Sequence, residues 1–206
     1  MWYNNKVINF VGECKLSNEI TVKIKCSIEE MFNILKSKNF KFIEKYLLDD
    51  TYFIPNNLKL SNMTIREIIS YAVILREVTE YSPENKITKI TIKKKEFDSK
   101  GNIINQCKIE CKIENKEAGL KLLKALGYKE LMNIKENGNI YGKDGFQIAI
   151  KDIINGEKLI EVETVENDSE LDTTEKLKEK INELQIPIDT NDYFVKKAEI
   201  ELKKIL

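Results

Sequence analysis

The feature that most limits the folds open to this chain is a two-residue alternation that recurs in widely separated stretches. In residues 18–25, Ile20, Val22 and Ile24 alternate with Glu19, Thr21, Lys23 and Lys25. A strand with this pattern has one apolar face and one face carrying an acid, a hydroxyl and ammonium groups. The pattern returns with Ile90 and Ile92 against Lys89, Thr91, Lys93 and Lys95, and with Cys107, Ile109, Cys111 and Ile113 against Gln106, Lys108, Glu110 and Lys112. It returns again with Ile160 and Val162 against Glu161 and Glu163. Antiparallel strands buried on one side are what such alternation specifies. On a single strand the charged side is simply wet; repeated on many strands, it admits a second solution in which the sheet curls and the polar faces line an interior.

Helix signals separate these strands. Ser27-Ile28-Glu29-Glu30 is a capping box ahead of Ile28, Met31, Phe32 and Leu35 at helical spacing, with a stop near Asn39. Residues 40–48 then read as extended, leading into Asp49-Asp50-Thr51-Tyr52-Phe53 and a Pro55-Asn56-Asn57 loop. A second capping box, Thr64-Ile65-Arg66-Glu67, opens a helix whose stripe is Ile65, Ile68, Ile69, Ala72 and Leu75, placing Arg76 at or past its end. The alternating segments 87–95 and 106–113 form a hairpin turned at 98–102. Asn115 caps a third helix through Ala118, Leu122, Ala125 and Leu126, stopped by Gly127. Further strands are expected at 128–135, 139–141, 146–154 and 158–165, with Asn137-Gly138 and Asn155-Gly156 as turns. The tail reads as two helical stripes, Leu177, Ile181 and Leu184, then Val195, Ala198, Leu202 and Ile205.

A chain of 206 residues can bury a substantial core in one domain. The expected organisation is a single domain over 1–206, with a core at 18–165, an N-terminal extension at 1–17 and a helical C-terminal segment at 172–206. The balance of 34 basic and 34 acidic residues provides no global field. This argues against a nucleic-acid polymer or a membrane surface as partner, so any charge-based function must be local. The absence of histidine removes the usual general base near neutral pH and leaves the chemistry to carboxylates and lysines. An oxygen-only ligand set favours Mg²⁺ or Mn²⁺ over zinc. The four cysteines show no C-x-x-C spacing and read as buried structural thiols. With no basic stretch leading an apolar run at the N-terminus, and no apolar run near the ~20 residues of a membrane span, a soluble cytoplasmic protein is expected. Self-association is left open.

If the strands bearing Glu19, Lys23, Lys25, Lys93, Lys95, Glu110, Lys135, Glu161 and Glu163 curl together, their polar faces line one interior. The expected fold is therefore α+β: a closed antiparallel β-barrel of about eight strands forming a tunnel, with surrounding helices. Such an interior binds a compact polyanion with its metal ions. Lys23, Lys25, Lys93, Lys95 and Lys135 would neutralise phosphate oxygens, while the carboxylates hold bridging cations.

Four pieces occur in an order that resembles a known family: Glu19-x-Thr21-x-Lys23, Asp50-Thr51-Tyr52-Phe53, Leu126-Gly127-Tyr128 and Glu161-x-Glu163. The chain is similar to the CYTH group, the triphosphate tunnel enzymes that include class IV adenylate cyclases and thiamine triphosphatases. The resemblance spans roughly residues 18 to 165 and implies that Glu19, Glu161 and Glu163 hold Mg²⁺ or Mn²⁺. It further implies that Lys23 and Arg76 hold phosphates, with Lys23 also catalytic, and that Asp152 stands near a second metal or the attacking group. The family opens with Glu-x-Glu-x-Lys, whereas the middle acid here is Thr21, and only Arg76 stands where two arginines are common. The function so implied is metal-dependent hydrolysis or cyclisation of a triphosphate or nucleotide. The alternatives are a non-catalytic polyphosphate or nucleotide sensor and a protein-interaction domain with a residual charged interior.

Overall fold

The computed structural model of the protein describes residues 19–81, 83–97, 99, 103–165, 168 and 170–206, without the side chains of 95–97 and 103–106. The expected N-terminal extension lies outside the described residues. Eight strands form one sheet: β1 (Glu19–Lys23), β2 (Lys41–Pro55), β3 (Val73–Tyr81), β4 (Glu84–Phe97), β5 (Ile103–Ile113), β6 (Tyr128–Lys143), β7 (Phe146–Ile153) and β8 (Lys158–Glu163). Among the described residues, five α-helices accompany them: α1 (Ile28–Ser37), α2 (Ile65–Ser70), α3 (Lys116–Ala125), α4 (Thr174–Glu183) and α5 (Lys197–Lys203). The strand order is β1-β8-β7-β6-β2-β3-β4-β5, and each neighbouring pair is antiparallel.

The α+β architecture follows from the alternation. Ile20, Val22, Ile148, Ile150, Ile160 and Val162 bury one face of β1, β7 and β8 with Met31 and Leu35 of α1 and Leu177 and Ile181 of α4. Phe53, Val73 and Leu75 bury the same side of β2 and β3 with Leu123 of α3. On the opposite side, Tyr52, Ile54, Ile74, Met132, Ile134 and Leu159 close one end of the interior beneath Ile68 of α2 and Leu202 of α5. The caps read from the sequence are made: Ser27 Oγ accepts from the Glu30 amide and Asn115 Oδ1 from the Ala118 amide, each satisfying an otherwise orphaned donor of the first turn.

Two expectations are corrected. The capping box at Thr64 is complete, but α2 stops at Ser70 and residues 73–81 form β3. Ile74 packs on the inner side of the sheet and Val73 and Leu75 on the outer, so the apolar run belongs to a strand covered on both faces. Secondly, β6 runs unbroken through Asn137-Gly138. Gly138 is needed for a close approach instead of a turn, because a Cβ there would lie 2.0 Å from the Tyr46 ring. The turn comes at Asp144 and Gly145, with φ of 50° and 83°, the pair of left-handed residues that a two-residue hairpin requires. Asn155, at φ 61°, does turn β7 into β8 as its Asn-Gly dipeptide implied.

The eight antiparallel strands match the expected number, and among the described residues the end strands of the sheet, β1 and β5, are not hydrogen-bonded to each other. The outer edge of β1 is taken by the C-terminal segment. The Thr21 amide donates to the Tyr193 carbonyl at 2.9 Å, the Val195 amide to Thr21 at 3.0 Å, and the Asp189 amide to Lys23 at 2.8 Å. This covers an edge that would otherwise expose unpaired backbone groups.

Among the described residues, no helix is long and apolar enough to cross a membrane. Cys26 and Cys111 are free, and Cys111 is exposed, which corrects its expected burial.

Candidate functional site

Glu19 and Thr21 of β1 and Lys108 and Glu110 of β5 line the same cavity, so the two ends of the sheet curl towards each other around it. The cavity has a volume of about 800 Å³. Charged residues from β1, β3, β4, β5, β7 and β8 form part of its wall; Leu48, Tyr52, Ile69, Ile74, Leu159 and Val195 form an apolar part.

Carboxylates converge on the β1–β8 wall. Glu19 pairs with Glu163 in the antiparallel register, and Glu161 lies on the same face two residues earlier, opposite Thr21. Oxygens of the three carboxylates lie within 4.8 Å of one another. Burial raises the Glu163 carboxyl above its ordinary value, and the neighbouring charges of Glu161 and Glu19 raise it further. Glu161 is shifted the other way: burial opposes its ionisation, but the Lys151 ammonium outweighs this and brings it down to about 2. Crowded oxygen donors with no soft or imidazole ligand fit a hard divalent cation.

Behind this cluster runs a buried chain of alternating charges. Arg76 donates to Asp50 through Nε and Nη2, both at 2.7 Å. Lys197 Nζ lies 3.8 Å from Asp50 Oδ2 and donates to Glu136 Oε2 at 2.6 Å. Lys151 Nζ lies 3.8 Å from Glu136 Oε1 and 2.5 Å from Glu161 Oε1. The side chains of Asp50 and Glu136 are fully buried, and Glu136 Oε1 has no hydrogen-bond donor among the described residues. Burial alone would raise both acids; Arg76 for Asp50, and Lys151 with Lys197 for Glu136, hold both below the usual carboxylate range. Such groups persist in a dry interior only because each charge has an opposite neighbour.

The cavity gathers Glu19, Arg76, Lys93, Glu110, Glu161 and Glu163 from among the residues singled out in the sequence. Others fall elsewhere. Lys23 is half-exposed and pairs with Glu157 at 2.9 Å, and Lys25, beyond the end of β1, pairs with Asp189 at 3.2 Å. Lys135 is in register with Asp49 and lies 3.5 Å from its carboxylate, on the side of β6 opposite Glu136. Asp152 shares the parity of Ile148 and Ile150, which face the outer core, so Lys151 points inward in its place. The side chain of Lys95 lies outside the described residues. Sequence reasoning missed Lys151, Glu136, Asp50 and Lys197. The first was readable, since Ile148 and Ile150 assign odd-numbered β7 residues to the other face. Lys197 carried no local signal, being a lysine that opens a short amphipathic helix far along the chain from its partners.

Fold and site together define an α+β protein whose curled antiparallel sheet encloses a cavity with a carboxylate cluster on one wall and cations around it. No family model matches the chain. It is 28% identical over 196 residues to a Methanocaldococcus jannaschii protein provisionally named an adenylate cyclase, covering 89% of this chain and 98% of that one. In structure it is similar to the PH1819 protein of Pyrococcus horikoshii, with a TM-score of 0.65, 22% identity and coverage of 91% and 99% of the two chains. It is also similar to the Hippeastrum protein HpAC1, a provisional adenylyl cyclase described as having a dominant triphosphatase activity, with a TM-score of 0.56, 13% identity and coverage of 92% and 95%.

Proposed function

We propose that the protein binds a triphosphate or nucleotide in this cavity and hydrolyses or cyclises it with Mg²⁺ or Mn²⁺, as a divergent relative of the CYTH group. The observation that carries the reading is the convergence of Glu19, Glu161 and Glu163 within 4.8 Å on one wall of a cavity also lined by Lys93, Lys108 and Arg76. The provisional naming of the Methanocaldococcus relative and the triphosphatase activity of the Hippeastrum protein point the same way.

The three carboxylates would hold the divalent cation, whose contribution when bound is to neutralise phosphate oxygens and polarise phosphorus. Lys93 and Lys108 supply positive charge toward the phosphates. The apolar lining by Leu48, Ile74 and Leu159 suits an organic group carried beside them. Phosphoryl transfer of this kind needs chiefly positioning and charge neutralisation, so a chain without histidine is equipped for it.

The test is a screen of ATP, thiamine triphosphate and tripolyphosphate with Mg²⁺ or Mn²⁺, read out for both phosphate and pyrophosphate. Metal-dependent release that is abolished in Glu161→Gln/Glu163→Gln is expected. Unchanged turnover in that variant would remove the assignment. Phosphate release would mark hydrolysis, and pyrophosphate release from ATP accompanied by cyclic AMP in place of AMP would mark cyclisation.

One observation favours the sensor reading: Arg76 is already held by Asp50, so fewer cations remain for a substrate in flight. Triphosphate binding by calorimetry without product over hours would select it.

A further inference from the structure

The cavity is divided by chemistry, and its apolar part has no use in holding phosphate. Ala72, Ile74, Leu159 and Val195 belong to one contiguous apolar cluster, Ile69 of α2 and Ala198 of α5 pack against it, and all of them line the cavity. The first four are buried, whereas Ile69 and Ala198 are only half-buried. Apolar surface is therefore left open where α2 meets α5. It borders the charged wall directly: Leu159 precedes Glu161 by two residues on β8 and Ile74 precedes Arg76 by two on β3, which in a strand is the same face at a spacing of roughly 6–7 Å.

A polar pair stands beside this open surface. Arg66 of α2 donates through Nε to Glu199 Oε1 of α5 at 3.0 Å, and both residues line the cavity. Arg66 precedes Ile69 by three residues, so the two share a face of α2, and Glu199 follows Ala198 directly. With 40% of its side chain exposed and its Nε edge held by Glu199, Arg66 presents a planar cation next to apolar surface. An inorganic triphosphate has no apolar part to bury and would leave this surface wet. The volume of about 800 Å³ lies in the upper part of the roughly 300–1,000 Å³ range of sites for drug-sized organic ligands.

We propose that the ligand is an organic triphosphate whose planar ring group sits between α2 and α5, against Ile69, Leu159 and Ala198 and beside the Arg66 guanidinium, so that inorganic tripolyphosphate is the poorer ligand; this rests on the triphosphate reading above. Guanidinium planes stack on aromatic rings, and the apolar residues take the remaining ring surface. Arg66 is then a specificity residue that acts on the organic group and not on the phosphates.

The experiment compares ATP, thiamine triphosphate and tripolyphosphate on the full chain with Mg²⁺ or Mn²⁺. Selectivity is read as the ratio of dissociation constants from calorimetry, or of kcat/KM where a compound is turned over. Wild type is expected to prefer ATP or thiamine triphosphate to tripolyphosphate by roughly tenfold or more. Ile69→Ala, which removes apolar surface, and Ala198→Leu, which crowds it, should each cut that ratio by about three- to tenfold. Arg66→Lys, which keeps the charge and loses the plane, should lower the ratio too while leaving tripolyphosphate within about twofold of wild type. Being at a half-exposed rim, it carries the test if the other two variants do not fold. Where binding is measured, the preferred organic compound should show a more negative heat-capacity change than tripolyphosphate, the mark of apolar burial. Tripolyphosphate bound as well as the organic compounds by wild type, or variants that leave the ratio unchanged, would overturn this proposal and leave the triphosphate reading standing. Neither binding nor turnover of any of the three by wild type would overturn both.

Discussion

Asp50 and Arg76 face each other across the β2–β3 register and are joined by two hydrogen bonds of 2.7 Å, with the carboxylate fully buried and the guanidinium 12% exposed. The bidentate geometry fixes Arg76 against its own sheet. It also places that cation at the head of a chain of alternating charges ending at Glu161. Removing one partner of such a pair strands the other. Asp50→Ala is expected to cost about 3–5 kcal/mol in urea unfolding. The double replacement Asp50→Leu/Arg76→Met should recover most of that loss, since Leu48, Tyr52 and Ile74 already make the neighbourhood apolar. A single-variant cost under ~1 kcal/mol, the range of exposed pairs, would contradict the buried arrangement.

Gly138 gives a second measurement, one that separates a packing role from a turn role. A methyl added there would meet three ring atoms of Tyr46 at 2.0–2.5 Å. Gly138→Ala should therefore destabilise the chain by about 1–3 kcal/mol, the usual range for overpacking. Much of this should be relieved in a Tyr46→Ala background and little in Tyr46→Phe, because the clash is with the ring and not the hydroxyl. A double-mutant cycle by thermal unfolding checks it. Additive effects in the Tyr46→Ala background would mean that the glycine serves some other constraint.

The two sides of the sheet make opposite predictions for ligand affinity. Lys93 lines the cavity, whereas Lys135 pairs with Asp49 on the other side of β6 and Asp152 shares a face with Ile148 and Ile150. Lys93→Ala should weaken tripolyphosphate binding by roughly tenfold, the loss of about 1.4 kcal/mol from one charge-assisted contact. Lys135→Ala and Asp152→Asn should change it by less than about twofold, within the ±0.5 kcal/mol typical of surface substitutions. Isothermal titration calorimetry decides. A large effect of Lys135→Ala with none for Lys93→Ala would reverse the inside and outside of the cavity.

Acid should act on the site in two opposed ways. Asp50, Glu136 and Glu161 have folded-state values below the ordinary ones, so the stability they contribute is present above those ordinary values and is lost as pH falls through the depressed ones. For Glu161 that window runs from 4.5 to about 2. Glu163 has the reverse sign: its value is raised, so its ionisation costs stability at neutral pH, and the cost disappears as pH falls through the raised value. The metal-free unfolding midpoint should hold or rise slightly on mild acidification, then fall steeply below pH 4.5. Glu163→Gln should remove the first effect and keep the second. A midpoint that falls steadily from neutral pH in the metal-free protein would contradict the raised value of Glu163.

What could be read in the sequence depended on the range of the interaction responsible. The faces of β1, β4, β5 and β8 were legible because side-chain direction in a strand alternates with a period of two, whatever the rest of the chain does. The caps at Ser27, Thr64 and Asn115 were legible because each is a contact between residues three apart. Where a local signal had two physical uses, the sequence misled. Ala72 and Leu75 satisfied helical spacing, whereas Val73 to Leu75 open a strand buried on both faces. Asn137-Gly138 looked like a turn while Gly138 made room for the Tyr46 ring, contributed by the neighbouring strand.

The sequence by itself determined that this chain makes antiparallel strands with charged faces, and it named Glu19, Glu161, Glu163, Arg76 and Lys93 as residues to watch. Tertiary structure alone decided which charges meet. Asp50 reaches Arg76 across 26 residues, and Glu136 reaches Lys197 across 61. These pairings depend on strand order, on the C-terminal segment covering the edge of β1, and on the low dielectric that burial creates. None of these is a property of a short stretch of sequence, because electrostatic partners in a folded chain are chosen by where the backbone carries them.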